Sequence, residues 1–338
     1  VTRCAVHQKI KVNYNTKANW CRTFAVDDLR NHPPSLILAI GSTALGALSH
    51  KSSAQDWSGV PLNWRGWPDD WLMGKNFKEW GHPSQIPRPQ PGDWRQLRAV
   101  QAPYIVYAQQ SQEVLQNWLR QLNTAVAQCQ VVPETKNYVL SHYRLIEDPD
   151  ELIRELDAIP SGTDVDYDVE TTGLHAFNKT ARLTTAMIRY IAVDGQAKVL
   201  IFPVEHGPMI EHLPRVLPRL ARVLHECKLS GHNIAFDVVY TSARLRPYVD
   251  LWLLASAVAD DTRLMAYALR QSRQSLGLER LAYAWTKSMG GYEEEFVMMM
   301  ESDEHRAALH PNEGGHYANA LDMPEAKSAY IAYTGGDV

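Results

Sequence analysis

Asp166-Tyr167-Asp168-Val169-Glu170-Thr171-Thr172-Gly173-Leu174 alternates acidic and apolar side chains over its first five positions. Alternation of that period is the mark of a β-strand, in which successive side chains take opposite faces. Val165, Tyr167 and Val169 then share one face, and Asp166, Asp168 and Glu170 the other. Three carboxylates held within a few ångströms raise one another's pKa and oppose folding unless a cation neutralises them. Carboxylate oxygens are the donors that Mg²⁺ or Mn²⁺ prefers. For this segment alone, an exposed acidic strand end is the plainer alternative.

Working outward, two later segments carry acidic or polar residues four apart. Gly231-His232-Asn233-Ile234-Ala235-Phe236-Asp237 separates Asn233 from Asp237 in this way, and Tyr333-Thr334-Gly335-Gly336-Asp337 does the same for Tyr333 and Asp337. On a helix that spacing puts both members of a pair on one face. Singly, such residues serve as caps, solvated surface or packing; three clusters in series point to a shared site.

Taken together, Asp168-x-Glu170, Asn233-x-x-x-Asp237 and Tyr333-x-x-x-Asp337 resemble the three motifs of the DEDDy 3′–5′ exonucleases, in the order and approximate spacing of the proofreading domain of family A DNA polymerases. Asp261-Thr262 is similar to the Asp-Thr pair that follows the second motif in those domains. Leu278-Glu279-Arg280-Leu281-Ala282 resembles the segment before the third. The resemblance covers about residues 140–338. It implies a ribonuclease H-like α/β fold with a mixed central sheet.

The resemblance also implies a chemistry. Asp168, Glu170, Asp237 and Asp337 become metal ligands for two Mg²⁺ or Mn²⁺ ions, with Asp237 acting through water, and Tyr333 with Glu170 orients the attacking hydroxide. Leu174 becomes a wedge against the terminal base. Asn233 contacts the terminal nucleotide or supports Asp237, Phe236 belongs to the same substrate-binding set, and Asp261 is either a support behind the metal site or a helix cap. The expected substrate is a single-stranded or frayed 3′ DNA end, because a paired terminus reaches the metals only after unpairing.

Composition bounds the alternatives. With 338 residues and 45% hydrophobic content the chain can bury a sizeable core, and its length suggests two domains. No run of about eighteen apolar residues marks a membrane span, and no charged-then-apolar leader opens the sequence. The expected location is the cytoplasm of a bacterium or of a phage-infected cell. A net charge of −4 does not advertise a nucleic-acid binder, although a site that holds DNA through metal ions is itself acidic. The sequence starts without Met and stops one residue after Asp337, so a longer protein is expected, with a polymerase domain following as partner.

A boundary is expected between about 120 and 140, giving a domain over 1–130, a linker over 131–142 and the exonuclease domain over 143–338. Val114, Leu115, Trp118, Leu119 and Leu122 recur at helical spacing in 114–127. Beyond the linker, Tyr143–Ile146 reads as a short strand, and Asp148 caps a helix running through Leu156. Ala181–Tyr190 and Ala197–Pro203 read as further strands.

In the N-terminal part, Ser35–Gly41 is a buried strand leading through a Gly turn into a helix over Ser42–Leu48. With Val1-Thr2-Arg3-Cys4 and Asn19-Trp20-Cys21 it is similar to the middle of a uracil-DNA glycosylase domain of the iron–sulfur type. There, two cysteines at about the separation of Cys4 and Cys21 supply half of a [4Fe–4S] ligand set. A cluster therefore requires further cysteines from an upstream segment, and two free buried thiols are the alternative. Gln101-Ala102-Pro103-Tyr104 has Ala where that family needs His, so the domain is expected to be smaller, glycosylase-like and non-catalytic. Six of the ten tryptophans lie between Trp57 and Trp94, where packing outweighs base stacking as their expected role. Met298-Met299-Met300 reads as a helix edge or gap-filler.

Two other classes stay open: an RNase D-like exonuclease acting on RNA, and a non-catalytic scaffold that only holds DNA. A fold that had lost catalysis would gain stability by losing its unpaired carboxylates, which weighs against the scaffold.

Overall fold

The computed structural model describes residues 143–270, 276–286, 296 and 318–338, and in the N-terminal part 36–42, 60–64, 95–100 and scattered single positions from 45 to 123. By contacts the chain divides into two compact units. One holds Val1–Lys136, Arg273–Ser275 and Arg280–Gly290, and the other holds Asn137–Ser272, Leu276–Glu279 and Gly291–Val338.

In the first unit, β1 (Leu36–Ile40) pairs parallel with β3 (Arg95–Val100), and β2 (Pro61–Trp64) pairs antiparallel with β3. Gly41 follows β1 with φ 85°, a left-handed turn that glycine adopts freely. Ser42 and Leu45 beyond it are helical, as are Gln112, Leu115, Gln116, Leu119, Arg120 and Asn123. Ile37, Ala39, Leu45, Trp57, Val60 and Leu62 bury together with Tyr283, whose ring meets Trp57 edge-on at 5.8 Å. Arg280, one turn before Tyr283, donates to the Asp56 carbonyl. Trp57 is thus a packing residue. Cys4, Cys21, Ala102, Cys129, Met298–Met300 and the other tryptophan side chains of the 57–94 stretch lie outside the described residues.

The second unit is built on a six-stranded sheet: β4 (Tyr143–Leu145), β5 (Asp164–Thr171), β6 (Leu183–Ile191), β7 (Ala197–Pro203), β8 (Lys228–Gly231) and β9 (Val258–Asp261), in the order β4-β7-β6-β5-β8-β9. β5, β6 and β7 form a meander, while β8 adds parallel to β5 and β9 parallel to β8. β6 alone runs against its neighbours in this sheet. A meander continued by parallel crossover strands is the mixed arrangement of the ribonuclease H-like fold, and it puts β5 at the centre.

Helices complete the layers: α1 (Pro149–Asp157), α2 (Met209–Glu226), α3 (Ala235–Arg244), α4 (Leu251–Ala257) and α5 (Thr262–Arg270). α6 (Leu278–Trp285) falls in the first unit from Arg280 onward, and α7 (Pro324–Gly336), preceded by a 3₁₀ turn over Ala318–Asp322, returns to the second. Asp148 caps α1 by accepting from the Asp150 N–H at 2.8 Å, as the sequence implies. The core gathers Leu152, Leu156, Tyr167, Leu183, Phe202, Leu220 and Leu224 around the sheet. α2 continues through Pro214 and Pro218 because its buried stripe, Val216, Leu217, Leu220, Ala221, Val223 and Leu224, outweighs the lost backbone bonds. Among the described residues no helix is long and apolar enough to cross a membrane.

Candidate metal centre

β5 alternates as its sequence implies. Val165, Tyr167 and Val169 are buried on one face, where the Tyr167 hydroxyl hydrogen-bonds Thr241 at 2.8 Å. The other face carries Asp166, Asp168 and Glu170, but these do not act as a trio. Asp166 is taken up by an ion pair with Arg189, which lies directly across from it on β6. The third carboxylate at the centre comes instead from Asp337: one oxygen from each of Asp168, Glu170 and Asp337 lies within 4.8 Å of the other two. The correction has a simple origin, since a cross-strand cation is invisible until strand pairing is known.

Asp337 reaches the centre because α7 ends in helical geometry. It is the C-cap, with φ −78° and ψ −14°, so the one-face relation to Tyr333 four residues earlier persists. The Tyr333 ring stacks on Phe296 at 5.0 Å between centroids, and its hydroxyl donates to Glu170. α7 lies close against the edge strand, where a Cβ on Gly335 would fall 2.6 Å from the Tyr143 ring. Glycine is required there by contact, not by backbone angle.

The second motif is built differently. The expectation that Asn233 and Asp237 share a helix face fails, because α3 begins at Ala235 and Asn233 stands before it with φ 62°. Asparagine tolerates that left-handed conformation better than most residues. Its N–H donates to Asp261 at 3.0 Å, and its side-chain oxygen accepts from Arg263 at 2.8 Å. Asp261 also caps α5 by accepting from the Arg263 and Leu264 N–H groups at 2.8 and 3.3 Å. Of the two roles open to Asp261 the structure shows the cap, and with it a tie that holds the turn before α3. Gly231 makes that turn possible, since a Cβ there would sit 2.8 Å from the Tyr167 carbonyl oxygen.

Asp237 is buried, and one of its oxygens accepts from the Val169 N–H at 3.2 Å. It therefore stands beside the three-carboxylate group, bound to the backbone between Asp168 and Glu170. Phe236 is half-buried and packs against Tyr240 at 5.4 Å between centroids. Leu174 is 81% exposed and Phe177 is 78% exposed, on a loop pinned by Thr172, whose hydroxyl accepts from the Arg182 N–H at 2.9 Å. The described loop thus presents apolar side chains to solvent just after the metal-site strand.

Electrostatics match a buried acidic centre. Burial, then the Asp237 charge, pushes the Asp168 carboxyl well above its usual range. Glu170 rises for the same first reason, reinforced by Asp337 and Asp168 and opposed by the Tyr333 hydrogen bond. Burial lifts Asp237 to about 8, with backbone hydrogen bonds pulling against it. The charges acting on these groups are anionic, and their donors are hard oxygens throughout. That set fits a divalent cation of the Mg²⁺ or Mn²⁺ type, whose charge would return the carboxyls to their ionised forms.

Two residues of the centre escaped the sequence reading. Tyr330 is fully buried one turn before Tyr333, and its hydroxyl hydrogen-bonds Thr185 at 2.9 Å. Thr185 is the β6 partner of Glu170. The spacing of Tyr330 and Tyr333 was a legible signal; Thr185 had none.

No protein-family model matches this chain, and no curated protein matches it. Among solved structures it is similar to the EXO domain of Aedes aegypti Nibbler, at 13% identity over 57% of this chain and 87% of that one, with a TM-score of 0.34.

Proposed function

We propose that the second unit is a metal-dependent 3′–5′ exonuclease that removes nucleoside 5′-monophosphates from DNA ends, working in the cytoplasm as the proofreading part of a family A polymerase. The convergence of Asp168, Glu170 and Asp337 from two distant motifs carries the reading. Those three side chains would hold the cation, and Asp237 would shape its surroundings from beside them. A divalent ion so held supplies an activated water and charge stabilisation for the leaving 3′ oxygen.

The chain's own residues do the rest. Tyr333 and Glu170, already hydrogen-bonded to one another, orient the attacking water. Leu174, exposed on its pinned loop, separates the terminal base from its neighbour. In-line attack on the last phosphodiester then releases the nucleotide. A frayed or mismatched end is favoured, because unpairing a matched one costs a few kcal/mol. The first unit is a glycosylase-like, non-catalytic element in this reading. The iron–sulfur question stays with Cys4 and Cys21, which an upstream segment would have to complete.

The deciding experiment incubates the chain with a 5′-labelled primer bearing a matched or mismatched 3′ end, and with an RNA of the same sequence, in Mg²⁺, Mn²⁺ or chelator. Stepwise shortening of the DNA, faster from the mismatch and abolished by chelation, is expected. Binding without Mn²⁺-dependent shortening overturns the nuclease assignment, and preferential trimming of the RNA overturns the DNA substrate.

A further inference from the structure

We propose that Tyr330 is a positioning residue of the carboxylate centre, its hydrogen bond to Thr185 fixing the register of α7 and hence the reach of Tyr333 and Asp337. The inference deepens the metal-centre reading above and rests on it.

α7 is poorly specified by its apolar pattern. Hydrophobic residues are distributed around it with almost no sidedness: Ala326, Ala329, Tyr330 and Tyr333 pack in one cluster with Phe296, Ile331 packs in another with Met187, Val199 and Ile201, and Gly335 lies against the Tyr143 ring. A slip of one residue would move the helix about 1.5 Å and turn Asp337 by roughly 100°. A cluster closed within 4.8 Å does not survive that rotation. Tyr330, Tyr333, Thr334 and Asp337 form one stripe along the helix, and Tyr330 hydrogen-bonds Thr185 on β6 while Tyr333 hydrogen-bonds Glu170 on β5.

The sheet end of that bond is equally well placed. Thr185 is fully buried and directly opposite Glu170, and its neighbour Thr184 donates to the Glu170 carbonyl at 3.0 Å. The Tyr330 hydroxyl therefore ties the third motif to the strand that frames the first. Two buried hydroxyls that satisfy each other add little net stability, and an apolar pair of the same shape would pack about as well. What the pair adds is direction, because a hydrogen bond between buried groups has one good alignment.

This separates the role from plain packing. Mn²⁺ binding to the full chain is followed by loss of the free-ion paramagnetic resonance signal, which needs no nuclease turnover, for the parent, Tyr330→Phe, Thr185→Val and the double variant. Half-saturating Mn²⁺ is expected to rise about tenfold in each. It should stay raised in the double variant even though the melting temperature there returns close to the parent's. Restoration of both properties in the double variant, or Mn²⁺ half-saturation within about twofold of the parent throughout, overturns the positioning role. A parent chain that binds no Mn²⁺ overturns the metal-centre reading itself, a distinct result.

Discussion

Asn233 and Asp237 stand four residues apart, as do Tyr333 and Asp337, yet the two pairs do opposite things. α7 runs through Tyr333 to Asp337 in unbroken helical geometry, and both side chains engage the carboxylate centre. In the earlier pair the helix starts between the two members. Asn233, held in a left-handed turn by Asp261, gives its side chain to Arg263, while Asp237 alone turns inward to the Val169 N–H. Equal spacing is equal geometry only when no cap falls inside it. The second motif is a turn that delivers one acid; the third is a helix that delivers two groups.

That contrast is open to test. Asp168→Ala removes a member of the cluster that both motifs frame, and exonuclease rate on a labelled single strand is expected to fall roughly a thousandfold or more. Tyr333→Phe keeps the stacked ring and removes only the hydroxyl on Glu170. A loss of about tenfold to a hundredfold is expected in the same assay. Equal losses in the two variants would erase the distinction between holding charge and orienting water.

The pH dependence of the metal-free protein sharpens the electrostatic side. Asp237, with its carboxyl at about 8, holds a proton in the folded state that the unfolded chain releases near its ordinary value of about 3.9. The folded state therefore binds more protons in that window, and stability falls as pH rises through it. Melting in chelator is expected to drop by on the order of 5 °C between pH 5 and 8.5. Added Mg²⁺ or Mn²⁺ should raise it most at the upper end. A melting temperature that climbs with pH in chelator would contradict a buried acidic centre with raised carboxyls.

The smallest effects belong to the turn. Asn233→Ala loses the Arg263 pairing and also strains a backbone with φ 62°, whereas Asn233→Gly loses only the pairing. The alanine variant is expected to be less stable than the glycine variant by about 1 kcal/mol, read from urea unfolding. Both should lose less activity than Tyr333→Phe. If Asn233→Gly matched the tyrosine variant in rate, the asparagine side chain would be a substrate contact after all, and the contrast between the motifs would collapse.

Much of this was legible before any coordinates. The alternation around Asp168 gives a half-acidic strand, Asp148 gives a helix start, and the strands over Tyr143–Leu145 and Ala197–Pro203 fall where their composition sets them. The Asn233–Asp237 expectation missed because a helix start fell inside the pair, and the other misses lacked a tertiary partner. Asp166 looked like a ligand until β6 brought Arg189 opposite it, and Arg280 looked like part of a motif-flanking segment although it donates to Asp56. Thr185 carried no mark of its own.

Sequence by itself determined the elements and the chemical character of the centre, because side-chain periodicity, capping and the preference of carboxylates for hard cations are local properties. Only the tertiary structure decided which acids meet. Strand register set Arg189 on Asp166 and Thr185 opposite Glu170, and the docking of α7 through Gly335 and Tyr330 brought Asp337 to within reach of Asp168. Those choices depend on distances between residues that the chain separates by as many as 169 positions, and no local rule carries information over that range.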